Sequence, residues 1–360
     1  MMKRCLIVAV VVLLAFGVAL LSCSGGGKGK GKGKEETYCD TPEPEPSAYL
    51  QPGPVGDGKT WIITDGRAIT PVGDMVRTNL FPVDAVFSRD GRYAYVLCAG
   101  KKDRSIDVVD LESMQVVGQL KKNVFYGMAL SADGTKLYFS GANENKVFEL
   151  QVNGSELTLL REFEVTGFPA GIALSPDESY LLVCANLGNR LVKIDLASGE
   201  QVAVLGTQVY PYAVAIDPSG SRAYVSNWGS DSVSVIDLNS FEVVSTIAVG
   251  KNPEGVVVSS DGGKVYVANS DSDTISVIDA ESLSVERTIS LHDDEVRTNG
   301  ASPTLMELSP DGKRLYVACA GYNAVYVVSA SDGKVLGRIP TAWYPTSVHI
   351  SPDGKKLLIT

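Results

Sequence analysis

Histidine is nearly absent: the 360 residues hold two, His292 and His349. A metal centre built on imidazole needs partners at ligand spacing, and neither histidine has them. His349 stands in the apolar stretch Ser347-Val348-His349-Ile350 and is read as structural. His292-Asp293-Asp294-Glu295 places oxygen and imidazole groups on a loop, read as solvated acidic surface rather than a cation site. No metal, no cofactor and no catalytic residue is expected. Cys-x-x-Cys-His is missing, which excludes covalently attached haem. No nucleophile elbow, phosphate-cradling loop or Cys-His pair stands out. A basic excess is missing too. The net charge is −10, and residues 1–58 carry six cations and six anions, so the imbalance belongs to the remainder. Such a surface repels a phosphate backbone, and no nucleic acid partner is expected. Leu6–Leu21 is an apolar run of sixteen residues, short for a spanning helix.

What the chain has in abundance is one repeated unit, seen most clearly in Val256–Leu291. Val256–Val258, Val265–Ala268, Ile275–Ile278 and Val285–Leu291 are short β-branched runs separated by Ser-Asp-Gly, Asn-Ser-Asp-Ser-Asp and Asp-Ala-Glu-Ser. Short runs of this kind, punctuated by turn residues, are strands of an antiparallel meander. The first turn recurs at Ser88, Ser131, Ser175, Asp217, Ser259, Ser309 and Ser351, with spacings of 43, 44, 42, 42, 50 and 42. Four strands at a period near 42 mark propeller blades. The second strand reads Tyr95-Val96-Leu97-Cys98, Tyr224-Val225-Ser226-Asn227, Tyr266-Val267-Ala268-Asn269 and Tyr316-Val317-Ala318-Cys319. It resembles the YVTN-type β-propeller repeat, over roughly residues 60–360.

The seventh turn signal is followed by one strand alone, Lys356–Thr360. Ahead of the first, Thr60–Thr64, Asp65-Gly66 and Ala68–Val72 read as strand, tight turn and strand. Residues 59–360 are therefore expected to form an all-β, seven-bladed β-propeller of four-stranded antiparallel blades. Its ring is closed by the N-terminal strands completing the last blade, which removes two open sheet edges.

The N-terminus reads as an address. Met1–Arg4 is basic, Leu6–Leu21 is apolar, and Leu20-Leu21-Ser22-Cys23 follows: an export signal over residues 1–22. The Cys behind a small residue resembles the lipobox of bacterial lipoproteins, which implies a lipid on Cys23 and membrane attachment through it. Ser24 stands where an Asp resembles an inner-membrane retention signal, so the outer membrane of a bacterial envelope is favoured. Residues 23–58, rich in Gly and Lys and then in Pro and Glu, read as a disordered tether.

A narrower resemblance rests on Gly66-Arg67, Ile69-Thr70-Pro71-Val72-Gly73, Phe125-Tyr126-Gly127-Met128-Ala129-Leu130-Ser131 and Ala342-Trp343-Tyr344-Pro345-Thr346. These look like bacterial propellers that precede an alkaline-phosphatase-superfamily phosphoesterase domain. The resemblance implies either a stand-alone propeller or the front of a longer protein; the hydrolase half and its residues do not carry over.

Function is sought where the repeat is not uniform. Phe81, Phe125, Phe168 and Tyr210 precede the innermost strands, as do Trp343 and Tyr344 in Ala342-Trp343-Tyr344-Pro345. These six form a candidate ligand rim at the funnel, with packing between blades as the alternative. Asp110, Asp195, Asp237 and Asp279 share one repeat position, which points to turn capping. Cys98, Cys184 and Cys319 lie in blades that are not neighbours, so inert buried thiols are expected. The expectation is an envelope-anchored, non-catalytic binding or scaffold module that docks a small ligand or a protein partner, neither identified, at the funnel face. The alternative is part of a phosphoesterase or a lactonase-like hydrolase, and such a lactonase needs acids and histidine converging in the funnel.

Overall fold

The Ser-Asp-Gly turn of the fifth repeat shows how the sequence makes a hairpin. In a computed structural model, Gly262 takes φ 74°, and its N–H donates to the Ser259 carbonyl at 2.8 Å. The Ser259 hydroxyl donates to Asp261 at 2.5 Å and accepts the Lys264 N–H at 2.9 Å. Asp261 also accepts the Gly263 N–H. Gly is needed for the left-handed step, and Ser and Asp satisfy the amides that the turn leaves over. The Ser-to-Asp bond recurs at Ser88, Ser131, Ser309 and Ser351.

The structure describes residues 53–54, 60–62, 68–101, 103–294 and 300–360. All of them belong to one compact unit, Pro52–Thr360. The expected signal, Cys23 and nearly all of the expected tether lie outside the described residues.

The fifth repeat pairs Pro253–Val258, Lys264–Asn269, Thr274–Asp279 and Ser284–Ser290 as neighbours in chain order. All pairings are antiparallel. Among the described residues five further sheets have the same four-stranded build, six in all. Their innermost strands are Pro82–Phe87, Met128–Leu130, Pro169–Leu174, Pro211–Ile216, Pro253–Val258 and Pro303–Leu308. Each packs beside the next. The apolar core is divided into layers between successive blades. One layer joins Tyr95, Leu97 and Ile106 of the first blade to Leu137, Phe139 and Phe148 of the second. The fifth and sixth share another, built on Ile275, Val277, Leu315 and Val317. Burying each such side chain contributes about 1.5–3 kcal/mol. The repeat Tyr of the second strand adds a polar tie: Tyr95 donates to the Gly154 carbonyl at 2.9 Å and Tyr266 to the Ala330 carbonyl at 3.3 Å, each on the following blade.

The blade count differs from the sequence expectation. Among the described residues there are six four-stranded blades, not seven. The last turn signal builds a two-stranded hairpin, Val348–Ile350 with Leu357–Ile359, whose inner strand packs between those of the sixth and first blades. The N-terminal strands do not complete it. Trp61–Ile62 and Ala68–Ile69 pair with each other and with Gly53–Pro54 in a separate three-stranded sheet. Strands of two residues offer too few ladder bonds to hold an edge over distance. Among the described residues, the backbone hydrogen bond next along this segment runs from Val72 N–H to the Pro340 carbonyl at 3.0 Å, on the sixth blade's outermost strand.

Candidate functional site

The channel mouth is built by one bracket used repeatedly. Phe81, Phe168, Tyr210, Asn252, Ser302 and Tyr344 all stand just before a Pro and all have φ between 47° and 62°. L-residues resist this left-handed conformation at a cost of about 1–2 kcal/mol. At five of the six a neighbouring Asn or Asp offsets it. Asn145 takes the N–H of Phe168, Asn189 that of Tyr210, Asp231 that of Asn252, Asp273 that of Ser302 and Asn323 that of Tyr344, all at 2.9–3.1 Å. These five acceptors are left-handed themselves, each closing a short 3-10 turn after the second strand of the preceding blade. The Pro then fixes φ at the head of the inner strand and has no amide to leave unpaired.

The completed bracket turns three of the six rim residues, Phe168, Tyr210 and Tyr344, into structural positions without burying them, and Phe81 shares the left-handed backbone and the following Pro. Phe81 is 44% exposed, Tyr344 37% and Trp343 57%, while Phe125, Phe168 and Tyr210 are half-buried. Phe125 meets Phe168 edge-on at 5.2 Å, and Tyr210 lies 6.4 Å from Trp228. The rim therefore packs in pairs on one side and stands open around Phe81, Trp343 and Tyr344.

Deeper in the channel, the inner strands approach more closely than a side chain allows. A Cβ on Gly171 would stand 2.4 Å from the Tyr212 carbonyl, and one on Gly255 2.6 Å from that of Thr304. Because the third blade is so slim here, Tyr126 of the second and Tyr212 of the fourth meet across it, ring centroids 4.7 Å apart. Burial drives both phenols well above their ordinary pKa; Tyr212 adds to the shift of Tyr126, Tyr344 to that of Tyr212, and Asp84 and Glu254 to both. Glu254 follows Pro253 on the fifth inner strand. Burial and the nearby Asp271 raise its carboxyl to about 8, against hydrogen bonds to Ser270 and Trp228 that favour the anion. At neutral pH it is largely protonated. Burial also raises Asp271, with Asp273 and Asp231 adding to it and Lys251 opposing.

His349 closes the seam between the chain's two ends. Its Nε2 lies 3.0 Å from Asp84 Oδ1 on the first blade, and its Nδ1 3.2 Å from Glu307 Oε2 on the sixth. Burial opposes charging the ring, but the hydrogen bonds to Asp84 and Glu307 outweigh it and raise the pKa to about 9. The imidazolium donates from both nitrogens, so it keeps no lone pair for a metal or a substrate proton. The structural reading of His349 is thus a cross-link of three elements. In the long loop, exposed His292 faces Asp294 at 3.0 Å, while Asp293 binds Tyr326 at 2.8 Å and Arg338, pinning the loop to the sixth blade. Glu295 and Arg297–Asn299 lie outside the described residues.

The other expectations resolve into repeat positions. Asp110, Asp195, Asp237 and Asp279 each accept a backbone N–H two or three residues on, capping the turn after the third strand. Cys98, Cys184 and Cys319 are buried free thiols, raised by burial, Cys98 to about 12.

Comparison with known proteins agrees with this architecture. Residues 218–359 match the model of the YNCE-like beta-propeller family. No curated protein matches the chain. Among solved structures, a chain of hydrazine synthase from Kuenenia stuttgartiensis is similar: 23% identical, with a TM-score of 0.68, covering 80% of this chain and 98% of that one. At that identity the likeness speaks for the fold alone. A β-propeller repeat protein is what these findings support.

Sequence reasoning did not reach Tyr212, Glu254, Asp84 or Glu307. One signal was available: Pro253-Glu254-Gly255 sets a carboxylate inside an apolar inner strand. Asp84 and Glu307 carried the same signal more faintly, and their meeting with His349 depends on residues 265 and 42 positions apart folding side by side.

Proposed function

We propose that the protein is a non-catalytic docking module of a bacterial envelope, carried on a lipid at Cys23 and a tether over residues 23–58, that receives a partner at its channel mouth. The carrying observation is the rim itself. Aromatic side chains stand partly exposed at one end of the channel on brackets too constrained to collapse. Rigid aromatics bind with little loss of entropy, as interface anchors do. The titratable groups nearby support binding over chemistry, since His349 is occupied by two carboxylates and the tyrosines are held neutral.

A photo-cross-linking residue at position 343, in the full chain expressed in its envelope, tests the reading. One discrete adduct from position 343 that is absent from position 311, on the opposite face, is the expected result. The same adducts from both positions defeat it. Metabolic labelling with palmitate, lost in Cys23→Ser, tests the anchor.

A further inference from the structure

The sixth blade keeps part of its face open. In the fifth blade, Tyr266 of the second strand and Val277 of the third are buried against the sixth. Tyr316 and Val327 stand at the same two positions of the sixth blade, paired in the same register, yet are half-buried. Tyr95 and Tyr266 give their hydroxyls to carbonyls of the following blade, whereas the Tyr316 hydroxyl makes no hydrogen bond among the described residues. The hairpin covers the inner part of this face, and beyond it lies a groove of about 480 Å³. Tyr316, Val327, Leu336, Ile339 and Leu357 are its apolar lining.

One wall of the groove is an open strand edge. Lys356 gives its carbonyl to the Ser351 N–H and its N–H to the Ser351 hydroxyl, and Thr360 bonds Thr346 and Ser347, so both face the inner strand. Backbone direction alternates along a strand, which turns the N–H and C=O of Leu357 and Ile359 outward. Among the described residues no strand pairs with them. The rim is basic. Arg314, Arg338, Lys355 and Lys356 line the groove, and no described acid does. Arg338 is held by Asp293, and Lys355 lies 3.5 Å from Asp353. Asp311 lies in the field of Arg314 but pairs with Lys313 at 3.9 Å. Among the described residues the side chains of Arg314 and Lys356 have no hydrogen bond or ion pair.

The repeat shows what such a cation binds. Lys264 holds in the fifth blade the place of Lys356, its N–H on the Ser259 hydroxyl as that of Lys356 is on Ser351. It stands opposite Asp279 of the third strand and binds that carboxylate at 2.8 Å, with Glu286 of the fourth strand at 2.6 Å. In the sixth blade Arg314 has this place, and Ser329 stands opposite where the first, third, fourth and fifth blades have Asp.

We propose that the groove receives an extended acidic segment of a partner protein, added to the edge of Leu357–Ile359 as an antiparallel third strand. Its carboxylate stands opposite Lys356, and the apolar residue before it, opposite Leu357, enters the groove. Main-chain bonds give the affinity, and the side chains give the register. A second copy would set Lys355 and Lys356 against their own like, the device by which edges resist self-association. The site is separate from the channel mouth and stands or falls independently of it.

The test uses the full chain in detergent and a capped peptide, Thr-Ile-Ser-Val-Ile-Asp, which is the third strand of the fifth blade, beside its counterpart ending in Asn. The acidic peptide is expected to bind roughly threefold more tightly, the share of one exposed ion pair. Lys356→Gln removes the preference, while Lys334→Gln, an exposed cation on a turn of the sixth blade outside the groove, keeps it. In the fifth blade the Ala280 N–H donates to the Gly263 carbonyl, so by alternation the amides of the peptide's Ser and second Ile face the edge. N-methylation of those two is expected to abolish binding, and N-methylation of the Val to spare it. Equal binding of the two peptides, or a preference that survives Lys356→Gln, overturns the inference. So does binding that tolerates methylation of the Ser and Ile, because the backbone edge is then not engaged. Absence of binding at millimolar concentration overturns it as well. If light scattering shows a dimer that the peptide dissociates, a second copy holds the edge and the inference fails.

Discussion

His349 is the residue on which most of the seam depends. Its partners come from opposite ends of the chain, and each carboxylate alone in that position would be a partly desolvated, uncompensated charge. His349→Gln keeps a hydrogen-bonding side chain and removes the cation, and should cost roughly 3 kcal/mol, because breaking one partner of a buried pair strands the other. The pH dependence has a definite sign. The folded pKa, about 9, lies above the ordinary 6.5, so the contribution is fully present below pH 6.5 and is lost as pH rises through 9. A difference of that size corresponds to something on the order of 3 kcal/mol. Denaturant titrations at pH 6 and pH 9.5 should show it in the native chain, and the difference should shrink in His349→Gln. An unchanged difference would mean that other groups dominate.

At the scale of the element, the bracket and the slim inner strand set the mouth's shape. Asn189→Ala removes the acceptor for the Tyr210 N–H and places Ala in the left-handed region, with φ 51°, at an expected cost of about 2 kcal/mol. Asn189→Gly restores the backbone freedom and should recover roughly half of that. If the two variants are equally unstable, the conformational half of the account is wrong. Gly171→Ala pushes a methyl against the Tyr212 carbonyl and should cost roughly 2–4 kcal/mol. It should also disturb the Tyr126–Tyr212 contact, visible as a change in near-ultraviolet circular dichroism. The Ser-x-Asp-Gly turns and the third-strand Asp caps were legible beforehand, because their chemistry is local: each donor and acceptor lies within a few residues. The bracket was half legible. The Pro announced it, but the Asn or Asp that completes it sits 21 to 29 positions earlier in the chain.

For the whole molecule, the hairpin between the sixth and first blades holds the ring together. Thr304 donates to the Thr346 carbonyl at 2.9 Å, and Thr346 donates to the Pro82 carbonyl at 3.0 Å, so polar ties run from sixth blade to hairpin to first blade. Removing residues 345–360 would expose the flanks of two inner strands and the apolar layers formed with Val348 and Leu358. Exposed strand edges recruit other chains. The truncated protein is expected to elute as oligomers in size-exclusion chromatography where the intact chain elutes as a monomer or a defined assembly. Truncation that leaves the elution profile unchanged would show that the hairpin is dispensable.

The sequence by itself determined the class, the repeat, the turn chemistry and the sites of the aromatic brackets, because a period near 42 and the Ser, Asp, Gly and Pro that enforce it act over short range. It did not determine the blade count. Strand signals at Thr60–Val72 pointed to completion of the last sheet, but pairing between the ends is a long-range choice made by register and ladder length, and the two-residue strands there paired among themselves. The site was decided the same way. Glu254, Tyr212, Tyr126 and the His349 cross-link are ordinary in their own strands; it is the convergence of inner strands, closest at Gly171 and Gly255, that stacks Tyr126 on Tyr212 and sets His349 between Asp84 and Glu307.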